Sequence, residues 1–187
     1  MLPVIAVTDD ARALWHQAND QELTTVPPAA EWRIRPARPS DRAFILGLLP
    51  RLAEGFELPS WRTRAEVVRA EAATMERALS ELHEDPDRAP LLLAESPAGV
   101  PGGFVFLERH VDYFRGAPHA HIAVLAVAEE VQGLGAGRAL LTAAETWARE
   151  QGMALLTLNV FDGNARARRV YQRNGFAPET LRYVKAV

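Results

Sequence analysis

Residues 132–138, Gln132-Gly133-Leu134-Gly135-Ala136-Gly137-Arg138, place a glycine at every second position between two different kinds of pattern. Before them runs a stretch rich in apolar and β-branched residues, with Ile122, Val124, Leu125, Ala126 and Val127, which predicts a buried strand. After them Leu140, Leu141, Ala144, Trp147 and Ala148 recur at helical spacing. Strand, glycine turn and helix in that order make an anion site. The first N–H groups of a helix have no internal partner, and the helix dipole adds partial positive charge beside them. Glycine lets a phosphate approach without meeting a Cβ. The dinucleotide fingerprint fails on detail: counted from Gly133 it needs glycine where Arg138 stands, and counted from Gly135 it needs one at Leu140. A phosphorylated ligand held by backbone donors is the expectation.

Downstream lies a second constellation. The helix runs out near Gln151-Gly152, an apolar run from Leu155 to Val160 follows, and then comes Asn164-Ala165-Arg166-Ala167-Arg168-Arg169-Val170-Tyr171-Gln172-Arg173-Asn174-Gly175-Phe176. Together the two stretches resemble the GNAT superfamily of N-acetyltransferases. The family's pyrophosphate loop, Gln/Arg-x-x-Gly-x-Gly/Ala, is matched by Gln132, Gly135 and Gly137. Its second signature, Asn-x-x-Ala-x-x-hydrophobic-Tyr-x-x-x-Gly-Phe, is matched by Asn164, Ala167, Val170, Tyr171, Gly175 and Phe176. The resemblance covers Trp32 to Val187.

That resemblance implies acetyl transfer from acetyl-CoA to an amine by direct attack in a ternary complex. The loop from Gln132 through Gly133, Leu134, Gly135, Ala136 and Gly137 to Arg138 would hold the pyrophosphate. The pantetheine arm would lie like an added strand along Leu125, Ala126 and Val127, with an N–H near Val127 polarising the thioester carbonyl. Tyr171 would protonate the leaving thiolate, and Asn164 and Ala167 would border the cofactor. Asn164 is also a good helix cap on chemical grounds alone.

An attacking ammonium must first lose a proton, for which neutral histidine is the natural acceptor near pH 7. His119 and His121 alternate at the start of the central strand and share a face with Leu125 and Val127 if no bulge intervenes. Some relatives place a histidine at the position of His121, and others use a glutamate on the preceding strand, here Glu108. Many carry an acid inside the central strand, where this chain has Ala123 and Val124. For the acceptor, Phe56, Trp61, Tyr113 and Phe114 are large apolar residues in polar, loop-like surroundings and are candidates for a wall of the amine site.

The elements that must position these groups alternate as strands and helices only in the second half. Trp32–Pro36 predicts a first strand, and Pro39-Ser40-Asp41 starts a helix bearing Phe44, Ile45, Leu48 and Leu49. Thr63-Arg64-Ala65-Glu66 forms a capping box before a helix with Val67, Val68, Met75, Ala78, Leu79 and Leu82 inward. Strands follow at Leu91–Glu95, Gly103–Glu108 and His119–Val127, and a last one is expected at Leu181–Val184. The predicted fold class is α/β in the GNAT manner, a mixed sheet with splayed central strands and helices on both faces. Residues 1–31 read as an extension, with a helix between Asp9 and Leu23 and a linker before Trp32; residues 32–187 form the catalytic domain.

Composition sets the outer bounds. The 187 residues, 48% hydrophobic, suit one well-buried domain, and a net charge of −3 gives no case for nucleic acid. The absence of cysteine removes thiolate nucleophiles and cysteine metal sites. The five histidines are spread apart from the pair at His119 and His121, so no metal is expected. The start lacks a basic segment and no apolar run approaches a membrane span, so a cytoplasmic protein without membrane attachment is expected. The acceptor is an amine-bearing small molecule, a protein N-terminus or a lysine, and a homodimer is left open. Two rival functions are an acyltransferase using another acyl-CoA and a non-catalytic CoA-binding regulatory module.

Overall fold

The computed structural model describes residues 32–82 and 90–186. The helix and linker expected within residues 1–31 lie outside them. Nine elements carry the fold: β1 (Arg33–Pro36), α1 (Arg42–Leu48), α2 (Arg64–Glu81), β2 (Leu91–Glu95), β3 (Pro101–Val111), β4 (Pro118–Val127), α3 (Ala136–Glu150), β5 (Leu156–Leu158) and α4 (Ala165–Arg173). The sheet order is β1-β2-β3-β4-β5, antiparallel through β4, with β5 added parallel to β4. The mixed sheet flanked by helices agrees with the expected class.

Local chemistry explains the helix starts. Before α1, the Asp41 carboxylate accepts the Arg38 N–H at 2.7 Å and two guanidinium bonds from Arg35 at 2.7 and 2.9 Å. Arg35 also donates to Glu95 at 2.5 Å, so one guanidinium on β1 ties the start of α1 to β2. At α2 the expected capping box forms: the Glu66 N–H donates to the Thr63 hydroxyl at 3.2 Å, and the Thr63 N–H donates to the Glu66 carboxylate at 2.8 Å.

Phe104, Val105, Phe106 and Leu107 are consecutive on β3 and all buried. Side chains alternate between faces along a strand, so both faces of the sheet are covered there. α3 supplies part of that cover through Ala136, Leu140, Leu141, Ala144, Trp147 and Ala148, the face expected from its spacing.

Two expectations need correction. Leu181–Val184 is not a strand; it runs irregularly, with Leu181 and Tyr183 among the most exposed apolar residues described. Alternating apolar residues become a strand only where a partner strand pairs with them, and none of the five described strands of the sheet pairs with residues 181–184. The second concerns β4. Phe106 pairs with Val124 but Leu107 pairs with Ile122, leaving Ala123 as an extra residue opposite β3. That bulge decides where the histidines stand.

Candidate active site

β4 and β5 pair at three positions only: Ala120 with Leu156, His121 with Thr157 and Ile122 with Leu158. Beyond Ile122 the two chains diverge, and a cleft of about 1080 Å³ opens between Ile122–Val127 on one side and Leu158–Phe161 on the other. The expected splay is therefore present.

One end of the cleft is the glycine turn. Gly133 and Gly135 have φ of 85° and 92°, a left-handed region that side chains with a Cβ rarely occupy, and Gly135 caps α3. A Cβ built on Gly133 would meet nothing within 4 Å, so the approach to the turn is open. The Trp32 indole N–H donates to the Leu134 carbonyl at 2.8 Å and holds the loop from behind. Gln132, Gly133, Leu134, Gly135, Gly137 and Arg138 all line the cleft. Ala136, included in the expected set, is instead fully buried beneath the start of α3.

α4 forms the facing wall, presenting Asn164, Ala167, Val170, Tyr171 and Asn174 at spacings of three and four. The Asn164 side chain accepts the Ala167 N–H at 3.0 Å, so the cap expected from sequence is made. Tyr171 packs edge-on against Phe176 at 5.8 Å, and burial pushes its phenol above the usual range, so it keeps its proton at neutral pH. The cleft fits an elongated phosphorylated ligand: a Cβ-free turn with helix N–H groups at one end, Arg138, Arg166 and Arg173 as cations along the lining, and an unpaired strand edge between.

Sequence reasoning missed the cleft floor. Leu52, Val67 and Glu71 line it, brought there by α2 and the turn before it. Burial raises the Glu71 carboxyl above the ordinary carboxylate range. Arg51 also reaches the lining, paired with Glu129 at 2.8 Å and Glu54 at 3.3 Å. The capping box foretold the helix. Which of its polar residues faces the cleft depended on packing.

The expected bases stand elsewhere. On β3, which has no extra residue between Phe106 and His110, Glu108 and His110 stay in phase with Phe106, and their partners across the ladder are His121 and His119. The bulge at Ala123 therefore puts the histidines in phase with Phe106 and Val124, not with Val105 and Leu125. None of His110, His119, His121 or Glu108 lines the cleft. His121 is half-buried; desolvation, with repulsion from His110 and His119, lowers its pKa against the pull of Glu108. The acceptor candidates are also outside the lining. Phe56 packs at 5.7 Å behind Phe161, which does line it, and Trp61 is partly exposed. Tyr113 and Phe114 form an exposed edge-on pair at the tip of the β3–β4 hairpin.

A model of the acetyltransferase (GNAT) family matches residues 56–176, and the chain belongs to that family. It is 36% identical over 107 residues to a mycothiol acetyltransferase of Propionibacterium freudenreichii subsp. shermanii, a match spanning 57% of this chain and 34% of that protein. The chain thus spans about a third of that relative. Among solved structures it is similar to a transcriptional regulator from Bacillus halodurans (TM-score 0.62, 22% identity, 82% of this chain and 99% of that one). It is also similar to an aminoglycoside antibiotic 6'-N-acetyltransferase from Acinetobacter baumannii (TM-score 0.61, 18% identity, 83% and 98%). At these identities the structures speak for the fold alone. No helix among the described residues is long and apolar enough to cross a membrane.

Proposed function

We propose that this protein transfers the acetyl group of acetyl-CoA to the amine of a small molecule by direct attack, with no covalent enzyme intermediate. The observation that carries this reading is that β4 and β5 stop pairing at Ile122 and Leu158, and the cleft there is lined by both the glycine turn and Tyr171. Acetyl-CoA supplies an activated thioester; the chain supplies position and protons.

The pyrophosphate is held by the N–H groups at Gly135–Arg138, with Arg138, Arg166 and Arg173 as counter-charges. Backbone groups of Leu125–Val127 on the gap side bind the pantetheine amides as a neighbouring strand would. An N–H at Val127 faces the charge that develops on the carbonyl oxygen. As the amine nitrogen bonds to the carbonyl carbon, the carbon–sulfur bond breaks and the departing thiolate takes the Tyr171 proton.

The proton lost by the acceptor goes to Glu71. It lines the cleft and its carboxyl is less acidic than usual, whereas His121 and Glu108 lie outside the lining. Glu54, Glu71 and Glu129 line the cleft beside Arg51, which pairs with Glu54 and Glu129; the excess of carboxylates there suits a cationic amine, and Phe161, packed on Phe56, gives it an apolar wall. The name of the mycothiol acetyltransferase to which the chain is similar favours a small acceptor over a protein one.

Thiol release from acetyl-CoA across a panel of small amines tests the reading. Amine-dependent release is expected. CoA-induced stabilisation without turnover of any acceptor would instead favour a binding module.

A further inference from the structure

A second cluster stands on the β3–β4 ladder outside the cleft. His110 lies directly opposite His119, and Glu108 directly opposite His121. One ring nitrogen from each of His110, His119 and His121 lies within 4.8 Å of the others. We propose that these three histidines form a binding site for one divalent transition-metal ion, zinc foremost, with Glu108 or water completing its coordination.

The polar accounting of the cluster points to a missing partner. The Nδ1 atom of His119 is buried without a hydrogen-bond partner among the described residues. Buried polar atoms are rarely left so, because the desolvation cost goes unrelieved. His121 is oriented in the manner of a metal-bound imidazole. Its Nδ1 lies 2.8 Å from the Thr157 hydroxyl, whose own proton is directed to the Ala120 carbonyl at 3.4 Å. The hydroxyl therefore accepts from Nδ1–H, and the lone pair of His121 is on Nε2. Such outer contacts fix the tautomer and ring orientation of metal-binding histidines.

His110 is the movable member. It is exposed, its Nε2 lies 3.0 Å from Glu108, and its ring stacks on His121 at 4.6 Å with planes 14° apart. Stacked rings cannot aim in-plane lone pairs at a common ion, so binding turns His110 out of the stack. Zinc–nitrogen bonds of about 2.0–2.1 Å put tetrahedral ligand atoms roughly 3.4 Å apart, so the nitrogens need close by little more than 1 Å. A set of imidazoles with one carboxylate favours zinc, copper or nickel over magnesium or calcium. The pair at His119 and His121 is visible in the sequence; the third ligand arrives through the ladder register.

The test is calorimetric titration of the untagged, metal-stripped full chain with zinc, alongside visible absorption on adding cobalt. The expected result is one ion per chain at micromolar concentration, cobalt bands of a nitrogen-rich site, and a melting temperature raised by zinc. His119→Gln should weaken binding by more than about 10-fold, and Thr157→Val by about 10-fold. His110→Ala, an exposed change that leaves the fold intact, should abolish the zinc-dependent rise in melting temperature. Failure of the parent chain to bind zinc below millimolar concentration would overturn the site. So would undiminished binding in His110→Ala, which would assign the ion to other residues.

Discussion

Ile122 and Leu158 are the last residues that β4 and β5 share across their ladder, and the cleft begins at that same pair. Short parallel pairing followed by divergence makes a slot bounded by strand on one side and loop on the other. Parallel pairs bond through evenly spaced groups, so a chain that stops pairing leaves a regular row of donors and acceptors on β4. Under the proposed function, that row is what the amides of a pantetheine arm would pair with.

Gly135→Val should reduce CoA affinity by at least about 100-fold while α3 remains folded. The reason is twofold: φ of 92° at the cap is costly for a β-branched residue, and the new methyls stand where phosphate approaches. Calorimetry with CoA and far-ultraviolet circular dichroism would check it. Unchanged affinity would move the phosphate away from the turn.

Tyr171→Phe should keep CoA affinity within a few-fold and lower kcat by about 10²-fold, the usual scale for a lost general acid. Burial holds the phenol protonated, so the parent should not lose this contribution until strongly alkaline pH. Loss of CoA binding with turnover otherwise intact would give Tyr171 a packing role against Phe176.

Glu71→Gln should lower kcat/KM by about 10²-fold and remove the acid limb of its pH profile. The sign follows from burial. A raised carboxyl pKa keeps Glu71 protonated, and unable to accept a proton, to higher pH than an exposed glutamate. Activity in the parent therefore rises as pH increases through that value. An acid limb that survives in Glu71→Gln but vanishes in His121→Gln would return the base to β4.

Acid stability provides a check on the frame. Desolvation acts to raise the Asp41 carboxyl, but its bonds from Arg35 and the Arg38 N–H outweigh this and hold it below the ordinary value. Native Asp41 thus binds its proton less readily than unfolded Asp41. Its contribution is full above the unfolded pKa and is lost as pH falls through the lower folded value. Asp41→Asn should cost about 1–2 kcal/mol at neutral pH and flatten the acid side of the melting-temperature profile. An unaltered acid slope would show that the Arg35 cluster contributes little.

Gly135, Asn164 and Tyr171 were legible in the sequence because their roles depend on neighbours within a few residues. A left-handed cap, an i to i+3 side-chain cap and a helical stripe are local facts, and the family signature lies in those same short stretches. The strands and the buried faces of α2 and α3 were legible for the same reason, through periodicity. The tail at Leu181–Val184 was misread because alternation states what surface a strand would need, not whether the chain supplies it. Glu71, Phe161 and the placement of His110, His119 and His121 were decided only by tertiary structure. One extra residue at Ala123 changes the phase of β4 against β3, and α2, from an earlier part of the chain, brings Val67 and Glu71 to the cleft that Ile122–Val127 also line. Neither the phase of a ladder nor the facing side of a distant helix is carried by residue spacing along one segment, since both arise where separate segments meet.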